Sequence, residues 1–102
     1  MNKYRLLKLK SGEQIITCIK SIKSNKLIIE RPMILKSIMA TDPFGRPKEI
    51  TVLKNWLMYT KQEQTDIPKD FVASFLKPDD DIMKLYIHEK KKDDYDKKHQ
   101  DK

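Results

Sequence analysis

Apolar and polar residues alternate with the period of β-strands through the first third of the chain. Leu9, Ile15 and Ile19 can share one strand face, because positions two apart along a strand point the same way. Gly12 lies where the chain must reverse, and a residue without a Cβ suits such a turn. A second polar turn follows at Ser24 and Asn25. The pattern predicts strands over 4–10, 15–22 and 26–31.

The middle of the chain continues in an extended pattern that is interrupted once, at Pro32. Proline has no backbone N–H, so a bend, a bulge or an edge position is predicted there, before an extended segment over 33–41. Residues 42–47 contain Pro43 and Gly45, which predicts a hairpin turn.

The hairpin is predicted to return as a strand over 50–60. This segment has apolar residues on both faces, which indicates a strand that is central in the sheet or covered by another subunit. A polar connection over 61–66 and a short last strand over 71–76 follow. A helix over 69–77 is the second interpretation of that last segment.

From Pro78 onward the period changes to that of a helix. Asp79–Asp81 is typical of a helix N-terminus, and the apolar stripe of Ile82, Leu85 and Tyr86 falls at helical spacing. The fifteen residues from His88 carry six basic and five acidic groups. The chain is therefore predicted to be mainly β, with a small barrel over 1–77, a C-terminal α-helix over 78–92 and a charged, disordered tail over 93–102.

Charge is distributed unevenly along these 102 residues, which are expected to form one domain. Residues 1–36 contain nine basic and two acidic side chains, whereas the remainder balances to zero. A basic excess on part of a β-rich domain favours a polyanionic partner such as nucleic acid. Lysines also keep strand edges from pairing, so charge alone leaves both interpretations open.

The residues that could support catalysis are few. His88 and His99 both lie in the polar C-terminal region, and Cys18 lies in the middle of an apolar strand. No cofactor, metal site or enzymatic activity is predicted. One cysteine and no apolar leader or membrane-spanning run favour a soluble protein of a reducing, cytoplasmic compartment without a membrane partner.

Predicted turns carry the candidate binding residues. Cations there can hold phosphates, and amide groups can hydrogen-bond to bases, although a solvated turn would have the same composition. Phe44 and Tyr59 are candidate stacking platforms, whereas Trp56 is assigned to the core. The predicted RNA-binding residues share exposed turn positions and donor groups: Lys23, Asn25, Lys26 and Lys69.

The first strands resemble the signature of the Sm and Sm-like (LSm, Hfq-type) family. Leu9, Gly12, Ile15 and Ile19 match its Leu, its Gly three positions on, and its apolar residues three and seven after that glycine. Ile22 and residues 26–29 also resemble the pattern, with the turn between them one residue shorter, and residues 67–72 resemble its second half more faintly. Four positions depart from the family pattern: Lys23 replaces an acidic residue, Lys26 an asparagine, and Pro68-Lys69 an Arg-Gly pair. The chain is most similar to the small stand-alone Sm-like proteins of marine bacteriophages.

This resemblance implies a strongly bent, five-stranded Sm-like (SH3-type) barrel. It implies a homo-oligomeric ring of five to seven subunits, closed by pairing the fourth strand of one subunit with the fifth of the next. The likeness to phage proteins is consistent with the cytoplasm of a phage-infected bacterium. The expected function is non-catalytic binding of single-stranded, A/U-rich RNA. The alternative is a phage structural or assembly protein that binds a protein partner through its C-terminal helix.

Overall fold

The chain folds as one antiparallel β-sheet with a single helix at its C-terminal end. The structure is a computed structural model that describes residues 3–99, and the side chains of all of these except 93 and 96–99. The strands are β1 (Lys3–Leu9), β2 (Gln14–Ile22), β3 (Lys26–Thr41), β4 (Pro47–Asn55), β5 (Gln64–Pro68) and β6 (Val72–Leu76). A 3-10 turn (Lys69–Phe71) joins β5 to β6, and helix α1 spans Asp80–His99. Among residues 3–99, no helix is long and apolar enough to cross a membrane.

Strands follow the order β4-β3-β2-β1-β6, and β5 pairs with β3 off this path. The first half of β3 pairs with β5 from Lys26 to Glu30, and its second half pairs with β4 from Met33 to Thr41. The mainly β fold, the first three strands and the hairpin are therefore confirmed. No ladder between the described residues joins β6 to β4 or β5, so the sheet is not closed and the five-stranded barrel is not confirmed.

The partner of β3 changes at a bulge formed by Arg31 and Pro32. Arg31 has a left-handed backbone (φ 49°), and the pairing of β2 with β3 shifts register between Ile16 and Cys18 opposite it. Pro32 cannot donate a ladder hydrogen bond, and β4 ends at its last pair, Met33 with Asn55. The Arg31 N–H instead donates to the Glu63 carbonyl (2.7 Å), where β5 takes over. The interruption predicted at Pro32 thus lies where the sheet changes partners.

Both faces of the central sheet are buried. The inner face is a cluster of apolar side chains from five strands: Leu7, Leu9, Ile15, Ile19, Leu27, Ile29, Ile67 and Val72. The outer face carries Ile16, Met33 and Leu53, which pack against Tyr86 of α1. Burial on both faces explains why β2 is apolar at consecutive positions, a pattern more typical of fully covered sheets.

Helix α1 is held on the outer face by its cap and by Tyr86. The Asp79 carboxylate accepts a hydrogen bond from the Ile82 N–H (2.8 Å), which caps the first turn as its sequence predicts. The Tyr86 side chain is fully buried, and its hydroxyl donates to the Arg31 carbonyl (2.9 Å). The hydroxyl also lies 3.4 Å from the Glu30 carbonyl. Helix packing therefore depends on the same bulge that divides β3.

Three predicted segments need correction. The strand predicted over 50–60 ends at Asn55, and it is an edge strand because, within residues 3–99, it pairs only with β3. The polar connection over 61–66 contains the start of β5, whose only buried side chain is Ile67. The helix continues to His99 instead of ending at residue 92, so 93–99 is not a disordered tail; residues 100–102 lie outside the described part.

Removing the Tyr86 hydroxyl should destabilise the protein in a pH-dependent way. Burial raises the pKa of Tyr86, so folding favours the protonated hydroxyl. Because the folded state then binds more protons than the unfolded state above pH ~10, the contribution of Tyr86 to stability is present below that pH and is lost as pH rises. We expect Tyr86→Phe to cost about 1–2 kcal/mol at pH 7. Urea denaturation at several pH values should show this difference shrinking above pH ~10; a constant difference would contradict the assignment.

The left-handed backbone at Arg31 predicts that glycine is more stable than alanine at this position, the reverse of the usual order in a strand. Both Arg31→Ala and Arg31→Gly lose the same guanidinium contacts, but only alanine keeps the backbone strain of about 1–2 kcal/mol. We expect Arg31→Gly to be the more stable of the two in urea denaturation. The same pair of substitutions at the exposed Lys8 of β1 is the control, where glycine should be less stable by about 0.5–1 kcal/mol. If the difference in stability between the glycine and alanine variants is the same at positions 31 and 8, the bulge is not strained.

Candidate nucleic-acid interface

The predicted binding turn is an exposed loop between β2 and β3. The Lys23 N–H donates to the Lys26 carbonyl (2.9 Å), which closes the turn and leaves Ser24 and Asn25 at its tip. Lys23, Ser24 and Asn25 are exposed, and Lys26 is half-buried as the first residue of β3. The turn therefore presents two ammonium groups and a side-chain amide to solvent.

The structure brings Lys69 to this turn, although it lies more than forty positions further along the sequence. The Lys69 N–H donates to the Asn25 carbonyl (3.0 Å), and Pro68 is the strand partner of Lys26. All four predicted residues thus meet at one end of the sheet. We call Lys23, Asn25, Lys26 and Lys69 the turn cluster.

Two carboxylates moderate the positive charge of the turn cluster. The Lys26 ammonium lies 3.2 Å from the Asp66 carboxylate on the neighbouring strand, and Asp70 follows Lys69 in the 3-10 turn. The side chains of Lys26 and Asp66 are 44% and 55% exposed, so water screens this pair and it contributes at most about 1 kcal/mol. Among the described residues, neither Lys23 nor Lys69 has an ion-pair partner. An anion could therefore bind here with little loss of existing interactions.

The hairpin of β3 and β4 carries a second basic group, Arg46, at its tip, at the opposite end of β3 from the turn cluster. Asp42 organises the tip: its carboxylate accepts the backbone N–H groups of Phe44 (2.9 Å) and Arg46 (2.8 Å). The Arg46 guanidinium lies 5.2 Å from the centre of the Phe44 ring, which is 80% exposed. The tip is ordered and cationic, but it does not belong to the turn cluster.

A groove that sequence reasoning missed lies beside the loop between β4 and β5. It has a volume of about 580 Å³, and its lining includes Ile34, Lys36, Lys54, Trp56 and Tyr59. The sequence does contain a signal for this loop. Residues 56–59 are four consecutive large apolar side chains, which an alternating edge strand cannot bury.

Cys18, Arg31 and His88 are titratable groups that lie outside the turn cluster and the groove. Cys18 is buried on the outer face, and burial raises the pKa of its thiol. Burial opposes the charge of Arg31, but Asp94 and Glu63 outweigh that effect and raise the pKa of its guanidinium. His88 lies on an exposed part of α1. Within the described part of the chain, no three His, Cys, Asp or Glu side chains converge on a common point.

Comparison with known proteins leaves the turn cluster without a documented counterpart. No protein-family model matches the chain, and no curated protein is significantly similar to it in sequence. The likeness to the Sm-like family therefore remains a resemblance carried by the residues of the first three strands, and functional conclusions depend on the geometry described above.

Proposed function

We propose that this chain is a non-catalytic, Sm-like protein that forms a homo-oligomeric ring and binds single-stranded RNA through its turn cluster. The observation that carries the proposal is the hydrogen bond from the Lys69 N–H to the Asn25 carbonyl, which joins two distant turns into one donor-rich surface. Lysines can contact phosphates, and the Asn25 amide can bond to the edge of an unpaired base. A ring of five to seven copies would repeat this weak site and raise its avidity.

The arrangement of the 3-10 turn supports a barrel-like subunit. At one side, Lys69 is bonded to the turn that precedes β3; at the other, the Lys10 N–H donates to the Phe71 carbonyl (2.9 Å) beyond the end of β1. This short turn thus spans the end of the sheet between its two sides. A barrel curved around the inner apolar cluster would place its strands in this way.

Unpaired strand edges and exposed apolar side chains support assembly. Within the described chain, β4 pairs only with β3 and β6 pairs only with β1. Ile38 is 42% exposed beside Ile50 of β4, and Phe75 of β6 is 48% exposed opposite the buried Leu7. By alternation, Ile38 lies on the same sheet face as Ile34, which packs against the inner cluster. Apolar side chains thus lie at two different edges of the subunit, at β4 and at β6. Contact between the β4 edge of one subunit and the β6 edge of the next would be head-to-tail, and such contacts can close into a ring.

The alternative function, a module that docks a protein partner through its C-terminal helix, has less support. The apolar stripe of the helix is already packed on its own sheet through Ile82, Leu85 and Tyr86. A partner would have to use the opposite, mainly charged face of α1. We therefore place the helix within the subunit and the binding function in the turns.

Assembly through the inner face predicts that charge at position 38 disrupts the ring. Ile38→Lys should convert the oligomer to smaller species, because an ammonium group would be buried without a partner in the interface. Met39→Lys is the matched control, since this neighbouring side chain is 64% exposed on the opposite face. Sedimentation velocity at micromolar concentration measures both. A wild-type monomer, or equal effects of the two substitutions, would contradict the assembly proposed here.

Binding through the turn cluster predicts a loss of affinity and of salt dependence together. Lys23→Ala combined with Lys26→Ala should weaken binding of a fluorescein-labelled A/U-rich oligonucleotide about tenfold at low salt. The slope of log K against log salt should fall by about 0.7 for each phosphate contact removed. Lys91→Ala with Lys92→Ala, at exposed positions of α1, provides a control of equal charge change. Fluorescence anisotropy across salt concentrations reports the affinity and its salt dependence. If the two double variants bind with the same affinity and the same salt dependence, the turn cluster is not the binding site.

A further inference from the structure

Trp56 is fixed at the point where β4 leaves the sheet. Its backbone N–H donates to the Pro32 carbonyl (3.0 Å), and its indole N–H donates to the Glu13 carboxylate (3.4 Å). The side chain packs against the inner apolar cluster and also lines the groove of about 580 Å³. An aromatic ring held at two points and partly open to a groove is pre-organised for contact with a flat ligand.

Two lysines flank this ring from adjacent strands. Ile34 pairs with Lys54, and Lys36 pairs with Val52, so both ammonium groups project from the face that carries Ile34. No carboxylate among residues 3–99 whose side chains are described forms an ion pair with either lysine. The nearby Glu13 carboxylate already accepts the Trp56 indole and the Ser11 hydroxyl (3.2 Å).

Tyr59 adds a second aromatic ring to the groove, and its backbone conformation is strained. Its side chain is 100% exposed and its backbone is left-handed (φ 62°), a region that bulky L-residues rarely occupy. Full exposure means that the ring gains no burial in the subunit to offset this backbone strain. Met58, the residue before it, is also 63% exposed. The loop therefore presents apolar groups to the groove and to solvent.

We propose that this groove is a second single-stranded RNA site in each subunit, in which a base stacks on Trp56 and Tyr59 while adjacent phosphates contact Lys36 and Lys54. The inference deepens the proposed function and rests on it. Aromatic side chains bind bases of any sequence through stacking, and cations beside them follow the backbone. An apolar peptide in the groove would leave the two ammonium groups buried without partners, so the charges favour a phosphate-bearing strand.

Trp56 is the only tryptophan of the chain, so its fluorescence reports directly on this site. Titration of the full-length protein with unlabelled hexauridylate and hexaadenylate should quench Trp56 emission saturably. Tyr59→Gly and Lys36→Ala with Lys54→Ala should each shift the midpoint of quenching about tenfold to higher concentration. Glycine suits the left-handed backbone, so Tyr59→Gly should fold normally, which circular dichroism verifies. Phe44→Ala at the hairpin tip is the control and should leave the midpoint unchanged.

Comparison with anisotropy of the labelled oligonucleotide separates this proposal from the proposed function. Quenching that persists in Lys23→Ala with Lys26→Ala supports an independent groove site. Oligonucleotide binding without any change in Trp56 emission overturns the groove site and leaves the turn cluster intact. Absence of all binding overturns both. Emission that changes on dilution of the protein but not on addition of oligonucleotide would identify a second copy as the occupant, and would also overturn the proposal.

Discussion

The bulge at Arg31 and Pro32 is the constraint on which the rest of the structure depends. Proline removes one donor from the ladder, and the left-handed Arg31 turns the strand, so β3 cannot keep a single partner along its length. The chain between β4 and β5 must then loop out, and that loop contains Trp56 and Tyr59. One local irregularity thereby creates both the second half of the sheet and the groove beside it.

Arg31 holds this arrangement together by contacting two separate segments, the loop before β5 and helix α1. Its guanidinium pairs with Glu63 before β5 and with Asp94 of α1, and it donates to the Lys90 carbonyl (3.3 Å). Its own carbonyl accepts the Tyr86 hydroxyl. The Arg31 side chain is only 13% exposed, so these contacts are screened less than those of a surface ion pair. Beyond Ile87 the helix is anchored by Arg31 at Lys90 and Asp94, and the Lys90 ammonium also lies 5.7 Å from the centre of the Tyr4 ring.

The sequence was informative wherever local chemistry decides the structure, and less so where tertiary contacts decide it. The turn at Gly12 and the faces of β2 follow from strand period and glycine conformation, and both agree with the structure. The turn cluster was predicted as separate turns, and only the fold shows that Lys69 meets Asn25. The apolar residues 56–59 predict that β4 extends beyond Asn55. The strand ends at Asn55 instead, because the bulge in β3 removes its pairing partner. The helix to His99 was missed since no apolar period accompanies its last turns.

The two proposed sites differ in the physical basis of their binding. The turn cluster lies at the first residue of β3, and the groove lies near Ile34 and Lys36, roughly 26–33 Å further along the same strand at the usual rise per residue. This distance exceeds the Debye length of about 8 Å at physiological salt, so the two sets of lysines act on a bound strand almost independently. The turn cluster has no aromatic residue and depends on charge, whereas the groove combines charge with stacking that salt does not screen. Rising salt should therefore empty the turn cluster before the groove, and a strand that occupies both would retain its contact with Trp56 longest.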